Sequence, residues 1–345
     1  MGDRVLPGWV STLSESLTAR LGAEVVVDAV RPLAGGACQE NFRVDLTVGG
    51  EPRTLALRSD AKVSLPGSLD RAHEFQVIAA AVDQGVPTPA VHWLLPDLLR
   101  EGSSAYLMDW VEGQAIGRRV LRDKNLAEAR KVLVDQLASA LAEIHRITPE
   151  SHPDLSLRTP QSAGERTPVD AAMYFCREML DKLPEPHPAM ELTLSWLAAN
   201  TPGEREITLV HGDFRTGNFM VGPAGLNAVL DWEFSHWGVP ACDLAWISVR
   251  DWRFGRLDRP VGGFAKRADF YRAYQRLSGR SIDLVEVHWW EIMGNLRWGA
   301  GAVYQAERVL SGGEFDLELL AIGRRAAEME HEMLRLIAIG PQEIS

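Results

Sequence analysis

The run His211-Gly212-Asp213-Phe214-Arg215-Thr216-Gly217-Asn218 gathers residue types that phosphoryl transfer needs. An Asp and an Asn five residues apart in a tight loop can face a common point. Asp213 is then placed to accept a hydroxyl proton, and Asn218 to offer an amide oxygen to a metal. Asp231, thirteen residues beyond Asn218 in the run VLDWE, supplies a second carboxylate. Mg2+ takes hard oxygen ligands, few of them from protein and the rest from phosphate and water. Such a set suits phosphoryl transfer, where catalysis is mostly positioning and charge neutralisation. Taken singly, Asp213 and Asn218 could equally cap turns, which both residue types favour. The order of HGD, Asn, strand and Asp sets the catalytic reading above that one.

A loop of this kind needs strands on either side. Residues 207–210 (ITLV) and 226–230 (LNAVL) read as short strands around it. Upstream, residues 24–31 are β-branched and read as a strand. Phe42–Val48 alternates apolar and polar side chains, and Gly49-Gly50 makes a hairpin turn into Thr54–Arg58. Residues 69–83 switch to helical period, with Phe75, Ile78, Ala79 and Val82 on one face. Two further strands fit His92–Leu95 and Ala105–Trp110. Beyond Val111 the chain turns mostly helical: an amphipathic helix over 125–147, another over 188–199, and three near 264–278, 282–310 and 314–338. Residues 149–168, rich in Pro, Ser and Thr, read as a mobile loop. The expectation is an α+β chain in two lobes, residues 1–110 with an antiparallel sheet and one helix, and residues 111–345 mainly helical.

Composition narrows the function classes. The chain has 345 residues, 46% hydrophobic and 24% charged, ordinary for a globular protein with a sizeable core. Its net charge of −11 argues against a nucleic-acid partner, which calls for a basic face. Cys38, Cys176 and Cys242 are an odd, widely spaced set without a CxxC pair, so neither a zinc ribbon nor a disulfide framework is expected. A reducing, cytoplasmic setting is the default. No apolar run approaches the ~18 residues a membrane span needs, and the N-terminus lacks the apolar core of a secretory signal. Oligomeric state is not readable.

The motif resembles the catalytic loop of the aminoglycoside phosphotransferase and choline kinase family, small-molecule kinases with a protein-kinase-like fold. HGDFRTGN followed by DWE matches that family's HxDxxxxN and metal-binding Asp, and Gly238-Val239-Pro240-Ala241-Cys242-Asp243-Leu244-Ala245 looks like its GxPxxDLA. The resemblance implies Asp213 as catalytic base, Asn218 and Asp231 as Mg2+ ligands, and Asp243 as a structural residue holding the His211 loop. It also implies ATP as phosphate donor. The phosphates would lie under a Gly-rich hairpin over Leu33–Phe42 with Gly35 and Gly36. A cation, Arg58, would pair with a helix glutamate, Glu74, and reach the phosphates. Met108-Asp109-Trp110-Val111 would form the hinge that receives adenine. His145, ending the long helix, is expected as a cap interacting with the helix dipole.

Arg58 departs from the family's usual Lys, and the two are not interchangeable at a well-defined site. A branch of the family tied to acyl-CoA metabolism carries Arg there. Two acceptors therefore stay open, an aminoglycoside-like polycation and a hydroxyacyl-CoA-like alcohol. The polycation would need an acidic cleft, for which Glu233, Asp243, Asp251 and Asp258 are candidates. Trp232, Trp237, Trp246 and Trp252 either stack on an acceptor or pack the core. Two other functions compete: a non-catalytic nucleotide-binding module, and a metal-dependent hydrolase built on His211, Asp213, Asp231, Glu233 and His236.

Overall fold

The computed structural model describes residues 7–33, 40–60, 65–159, 164, 167–203, 205–312 and 316–341. Helix α1 (Trp9–Leu21) opens the described chain and was not expected from the sequence. It buries Val10, Leu13 and Leu17, a helical stripe, in a small core shared with Val44, Leu46 and Leu57 of the sheet. Strands β1 (Val25–Pro32), β2 (Glu40–Val48), β3 (Glu51–Ser59), β4 (Val91–Pro96) and β5 (Ser104–Asp109) form one antiparallel sheet in the order β1-β2-β3-β5-β4. Each expected strand occurs, with ends moved by one to three residues. Gly49 and Gly50 both take positive φ, 56° and 91°, the geometry of a two-residue hairpin whose twist matches the strands it joins.

Helix α2 (Arg71–Asp83) crosses from β3 to β4. Its start is fixed by Asp70, whose carboxylate accepts the His73 N–H at 2.8 Å. One face of α2 then packs toward β5 and β4, which buries Glu74 beneath the sheet. Register completes the arrangement: Arg58 of β3 stands opposite Tyr106 of β5, so the cation and the buried glutamate meet at the centre of the sheet.

The rest is mainly helical. The helix expected over 125–147 is shorter and preceded by two pieces, α3 (Gly117–Arg122) and a 3-10 turn at Lys124–Leu126, before α4 (Ala129–Ile144). Asp123 makes the break by accepting the Asn125 N–H at 2.9 Å. Helix α5 (Pro168–Leu180) follows the residues read as a loop; Thr167 and Asp170 form a reciprocal capping box with Pro168 in the first turn. Next come α6 (Pro188–Ala199), β6 (Thr208–Val210), β7 (Phe219–Gly222), β8 (Gly225–Val229), β9 (His236–Gly238) and α7 (Pro240–Trp246). Strands β6 and β9 pair, as do β7 and β8. Last are α8 (Arg267–Ser278), the long α9 (Leu284–Leu310), α10 (Leu317–Gly323) and α11 (Ala326–Ile339). The single helix expected over 314–338 is thus two, divided at Arg324-Arg325, where the Arg325 guanidinium turns to Asp251. Among the described residues no helix is long and apolar enough to cross a membrane.

Candidate active site

Strand β6 delivers the chain to His211, and the loop that follows is fastened from below. Asp243, in the first turn of α7 and fully buried, accepts the His211 N–H at 2.7 Å and the Gly212 N–H at 3.0 Å. Burial would raise its pKa, but His145 and the loop's own N–H groups hold it below the ordinary carboxylate range. His145 does end α4, yet its ring does more than cap. Nε2 faces Asp243 at 3.4 Å and Nδ1 faces the Tyr274 hydroxyl at 2.8 Å. Gly212 sits at φ 78°, and a Cβ there would stand 2.2 Å from the Phe234 carbonyl oxygen, so the tight turn into Asp213 requires glycine.

His211 ties the loop to the strand that carries Asp231. The Asp213 N–H donates to its Nδ1 at 3.2 Å, and Nε2 faces the Leu230 carbonyl at 3.1 Å. Those partners place the proton on Nε2, and burial lowers the ring's pKa enough to favour the neutral form. The Leu230 N–H returns a bond to the Asn218 carbonyl at 2.8 Å. Asp213 itself is held on every side. Arg215 Nε meets its two oxygens at 2.9 and 3.1 Å, Asn218 Nδ2 donates at 2.6 Å, and Trp246 Nε1 donates at 2.7 Å.

A buried charge cluster stands across from this loop. Arg58 Nη2 lies 2.8 Å from Asp231 Oδ1 and 3.2 Å from Glu74 Oε1. Arg71 pairs closely with Glu74 and reaches Glu233 at 3.2 Å, while the Tyr106 hydroxyl donates to Glu74 at 2.9 Å. Burial works against an ionised Asp231, but the charge and hydrogen bond of Arg58 outweigh it and hold the carboxyl at about 2. Burial and the charge of Asp231 push Glu233 the other way, to about 7, against the pull of Arg71. Asp213, Asn218, Asp231, Arg58, Glu74, His211 and Asp243 are therefore linked in one connected region.

The remaining expected positions fall at its edge. Met108 pairs with Ala56 and Val91 in the sheet, and the Asp109 N–H donates to the Ala90 carbonyl at 2.9 Å. Trp110 donates to Glu112 at 2.7 Å beneath the Arg43 guanidinium, and Val111 follows as the chain leaves the sheet. Gly35 and Gly36 lie outside the described residues. Among the described residues no three His, Cys, Asp or Glu side chains converge as a metal cluster, so the hydrolase reading lacks its ligand set.

The phosphotransferase enzyme family known as APH matches residues 29–280 of this sequence. The chain belongs to that family. Acyl-CoA dehydrogenase family member 10 of Mus musculus is 30% identical over 201 residues, which cover 56% of this phosphotransferase and 18% of that protein. The chain thus spans a minor part of that relative's length. A Ralstonia eutropha protein described as a candidate aminoglycoside phosphotransferase superposes with a TM-score of 0.71 at 22% identity, over 96% of this chain and 99% of that one. A thermostable mutant of the aminoglycoside phosphotransferase APH(4)-Ia, in complex with ADP and hygromycin B, superposes with a TM-score of 0.61 at 16% identity, over 94% and 98%. The fold is the bilobal protein-kinase-like one.

Beside Asp213 lies a cavity of about 720 Å³, walled by α5, α9 and α10. The acidic residues expected to make it suit a polycation are committed elsewhere. Glu233 faces Arg71, and Asp243 holds the loop backbone. Asp251 is bound by Arg325 and by Trp298, and Asp258 lies at the surface beside Arg256 and Arg259. All four tryptophans are buried in the core. Trp232 lies tilted against His211 with ring centres 4.7 Å apart and Trp252 lies under Arg215 at 4.3 Å, whereas Trp237 and Trp246 also line the cavity. Arg71 and Arg215 were not singled out from sequence, and Trp246 was named there only as a ring for stacking or core packing, not as a donor to Asp213. Arg71 stands three residues before Glu74 and Arg215 two after Asp213, spacings that local reading could have used; the Trp246 bond to Asp213 left no such local trace.

Proposed function

We propose that the chain is an ATP- and Mg2+-dependent phosphotransferase acting on a hydroxyl of a small molecule. The observation that carries this reading is the position of Asp213: a carboxylate fixed by three donors, linked to Asn218, at the wall of a cavity of small-molecule size. Asp213 is the base. Its oxygens already accept four contacts, and Arg215, the most exposed of the donors, is the one an incoming hydroxyl replaces. Asn218 commits Nδ2 to Asp213, which leaves Oδ1 as a hard oxygen donor; Asp231, held at about 2, is a second. That donor set fits Mg2+, which would neutralise phosphate charge when bound. Arg58, oriented by Glu74, faces the phosphates, and Met108, Asp109, Trp110 and Val111 form the adenine hinge, at which the lobes divide.

For the acceptor, the likeness to the mouse acyl-CoA dehydrogenase family member supports a hydroxyacyl-CoA-like alcohol over an aminoglycoside-like one. Calorimetric titration of ATP, with and without Mg2+, tests the nucleotide site. Asp231→Ala is expected to lose the metal-dependent affinity, and unchanged metal-dependent binding would overturn its assignment. Asp213→Asn is expected to lower phosphoryl transfer by about 10²–10⁴-fold while ATP still binds. Wild-type turnover in that variant would remove Asp213 as base and favour the non-catalytic reading.

A further inference from the structure

Net charge points toward cationic partners, yet the cavity beside Asp213 has the opposite local balance. Arg297, on α9, lies in a cradle of three rings. Its Cζ is 5.1 Å from the Trp246 ring, 5.7 Å from Phe175 and 5.7 Å from Phe234. Aromatic faces hold a guanidinium in place without neutralising it. Among the described residues no carboxylate pairs with Arg297 and no acceptor takes its N–H groups. Arg158 enters the same cavity. It donates to the Gly67 carbonyl at 2.6 Å and likewise has no carboxylate partner among the described residues.

The anions nearby do not offset these charges. Asp213 is matched by Arg215, Glu233 by Arg71, and Asp243 by backbone N–H groups. Glu178 lies 3.4 Å from Lys182. The field of Arg297 reaches its neighbours: burial first, and then the charges of Arg297 and Arg158, hold His236 at about 4. Other walls are apolar, including Met179, Trp237, Trp290, Met293 and Trp298.

We propose that Arg297 and Arg158 form an anion-binding subsite in the acceptor cavity, so that the acceptor is an alcohol carrying an anionic group on an apolar body. The inference rests on the phosphotransferase reading for its reaction, but not for its binding. Trp246 fixes the scale: its Nε1 donates to Asp213 at 2.7 Å while its ring lies against Arg297. One indole therefore separates base and anion site, which places the anionic group only a few bonds from the reacting hydroxyl. The apolar remainder lies along the Trp and Met wall. A polycation meets two arginines without carboxylate partners among the described residues, and of the lining carboxylates Glu318, which no cation among the described residues matches, is solvent-exposed.

The short span set by Trp246 fits the acceptor's own carboxylate; the phosphates of a thioester carrier, at the far end of a pantetheine arm, are the alternative source of the anion. Calorimetry with 3-hydroxydecanoate, its methyl ester, its CoA thioester and kanamycin separates these. The free acid is expected to bind roughly ten- to a hundred-fold more tightly than the methyl ester. Arg297→Gln should level the two, and Arg297→Lys should restore part of the difference. A CoA thioester that binds like the ester locates the anion on the acid, as the span across Trp246 requires; one that binds like the acid in an Arg297-dependent manner locates it on the carrier and overturns that spacing. Arg158→Gln, outside the aromatic cradle, repeats the comparison should Arg297→Gln fail to fold. Equal affinity for acid and ester in the wild type, kanamycin binding more tightly than the acid, or full discrimination in both Gln variants would each overturn the subsite. Mg2+-ATP titration of the wild type is a separate arm: its failure would remove the kinase reading while leaving the acid–ester comparison to report on Arg297.

Discussion

Replacing Asp243 with Asn tests whether the loop that presents Asp213 is held from beneath. Asp243 uses one oxygen for the His211 N–H at 2.7 Å and the other for the Gly212 N–H at 3.0 Å, and its side chain is fully buried. Asn keeps the shape but has one acceptor, and its amide nitrogen would face a backbone donor. A hydrogen bond to a charged group is worth about 1.5–3 kcal/mol, and a stranded buried N–H costs a further ~1–3 kcal/mol. The combined loss is about 2.5–6 kcal/mol. At roughly 2–4 °C per kcal/mol for a domain of this scale, melting should fall by about 5–24 °C. Thermal melting followed by tryptophan fluorescence reads this directly, since the chain carries 11 tryptophans. The change should appear with little difference in the side-chain volume packed under the loop. An Asp243→Asn protein melting within about 2 °C of the wild type would refute the argument that these two bonds hold the loop.

Two further outcomes follow from the same geometry. Trp246→Phe keeps a ring at the cavity wall but deletes the 2.7 Å bond to Asp213, so kcat should fall by about 10–100-fold with ATP affinity unchanged; a wild-type kcat would show that Arg215 and Asn218 alone orient the carboxylate. Burial holds His236 at about 4, below the ~6.5 of an unfolded chain. The folded state therefore binds fewer protons between these values, so this stability is complete above about pH 6.5 and is lost as pH falls toward 4. His236→Gln should flatten the stability profile in that window by up to ~3 kcal/mol, and an unchanged slope in denaturant titrations across it would contradict the burial argument.

What was legible in the sequence was local. His211, Asp213 and Asn218 lie within eight residues, and the loop's flanking strands were visible as short apolar runs. Strand alternation and the Gly49-Gly50 turn located the sheet, because a side-chain period of two leaves a direct trace. The Thr167-Pro168-Val169-Asp170 capping box was equally readable in principle, yet the Pro and Ser around it resembled a loop. The contacts that tune the site are of another kind. Arg58 and Asp231 are 173 positions apart, and their pairing follows from strand register and the crossing of two lobes. Trp246 and Arg297 sit on helices whose periodicity speaks only of burial, so nothing local distinguishes a ring that donates to Asp213 from one that fills the core.

The same distinction explains why bulk charge misleads here. A net charge of −11 describes the whole surface, and a cleft is governed by the few ionised groups that no internal partner matches. Around Asp213 the carboxylates are numerous, but structure consumes them: Asp243 in the loop, Glu74 and Asp231 with Arg58, Glu233 with Arg71. Each such pairing removes an anion that a cationic acceptor would need. Arg297 escapes this pairing because aromatic rings rather than acids hold it. The cavity's sign is thus set by which residues the fold leaves unmatched. Two members of one kinase-like family can therefore present opposite charge to their acceptors while keeping the same catalytic loop, since the loop's Asp213 is fixed by α7 and its own run, whereas Arg297 belongs to α9 and can change independently of it.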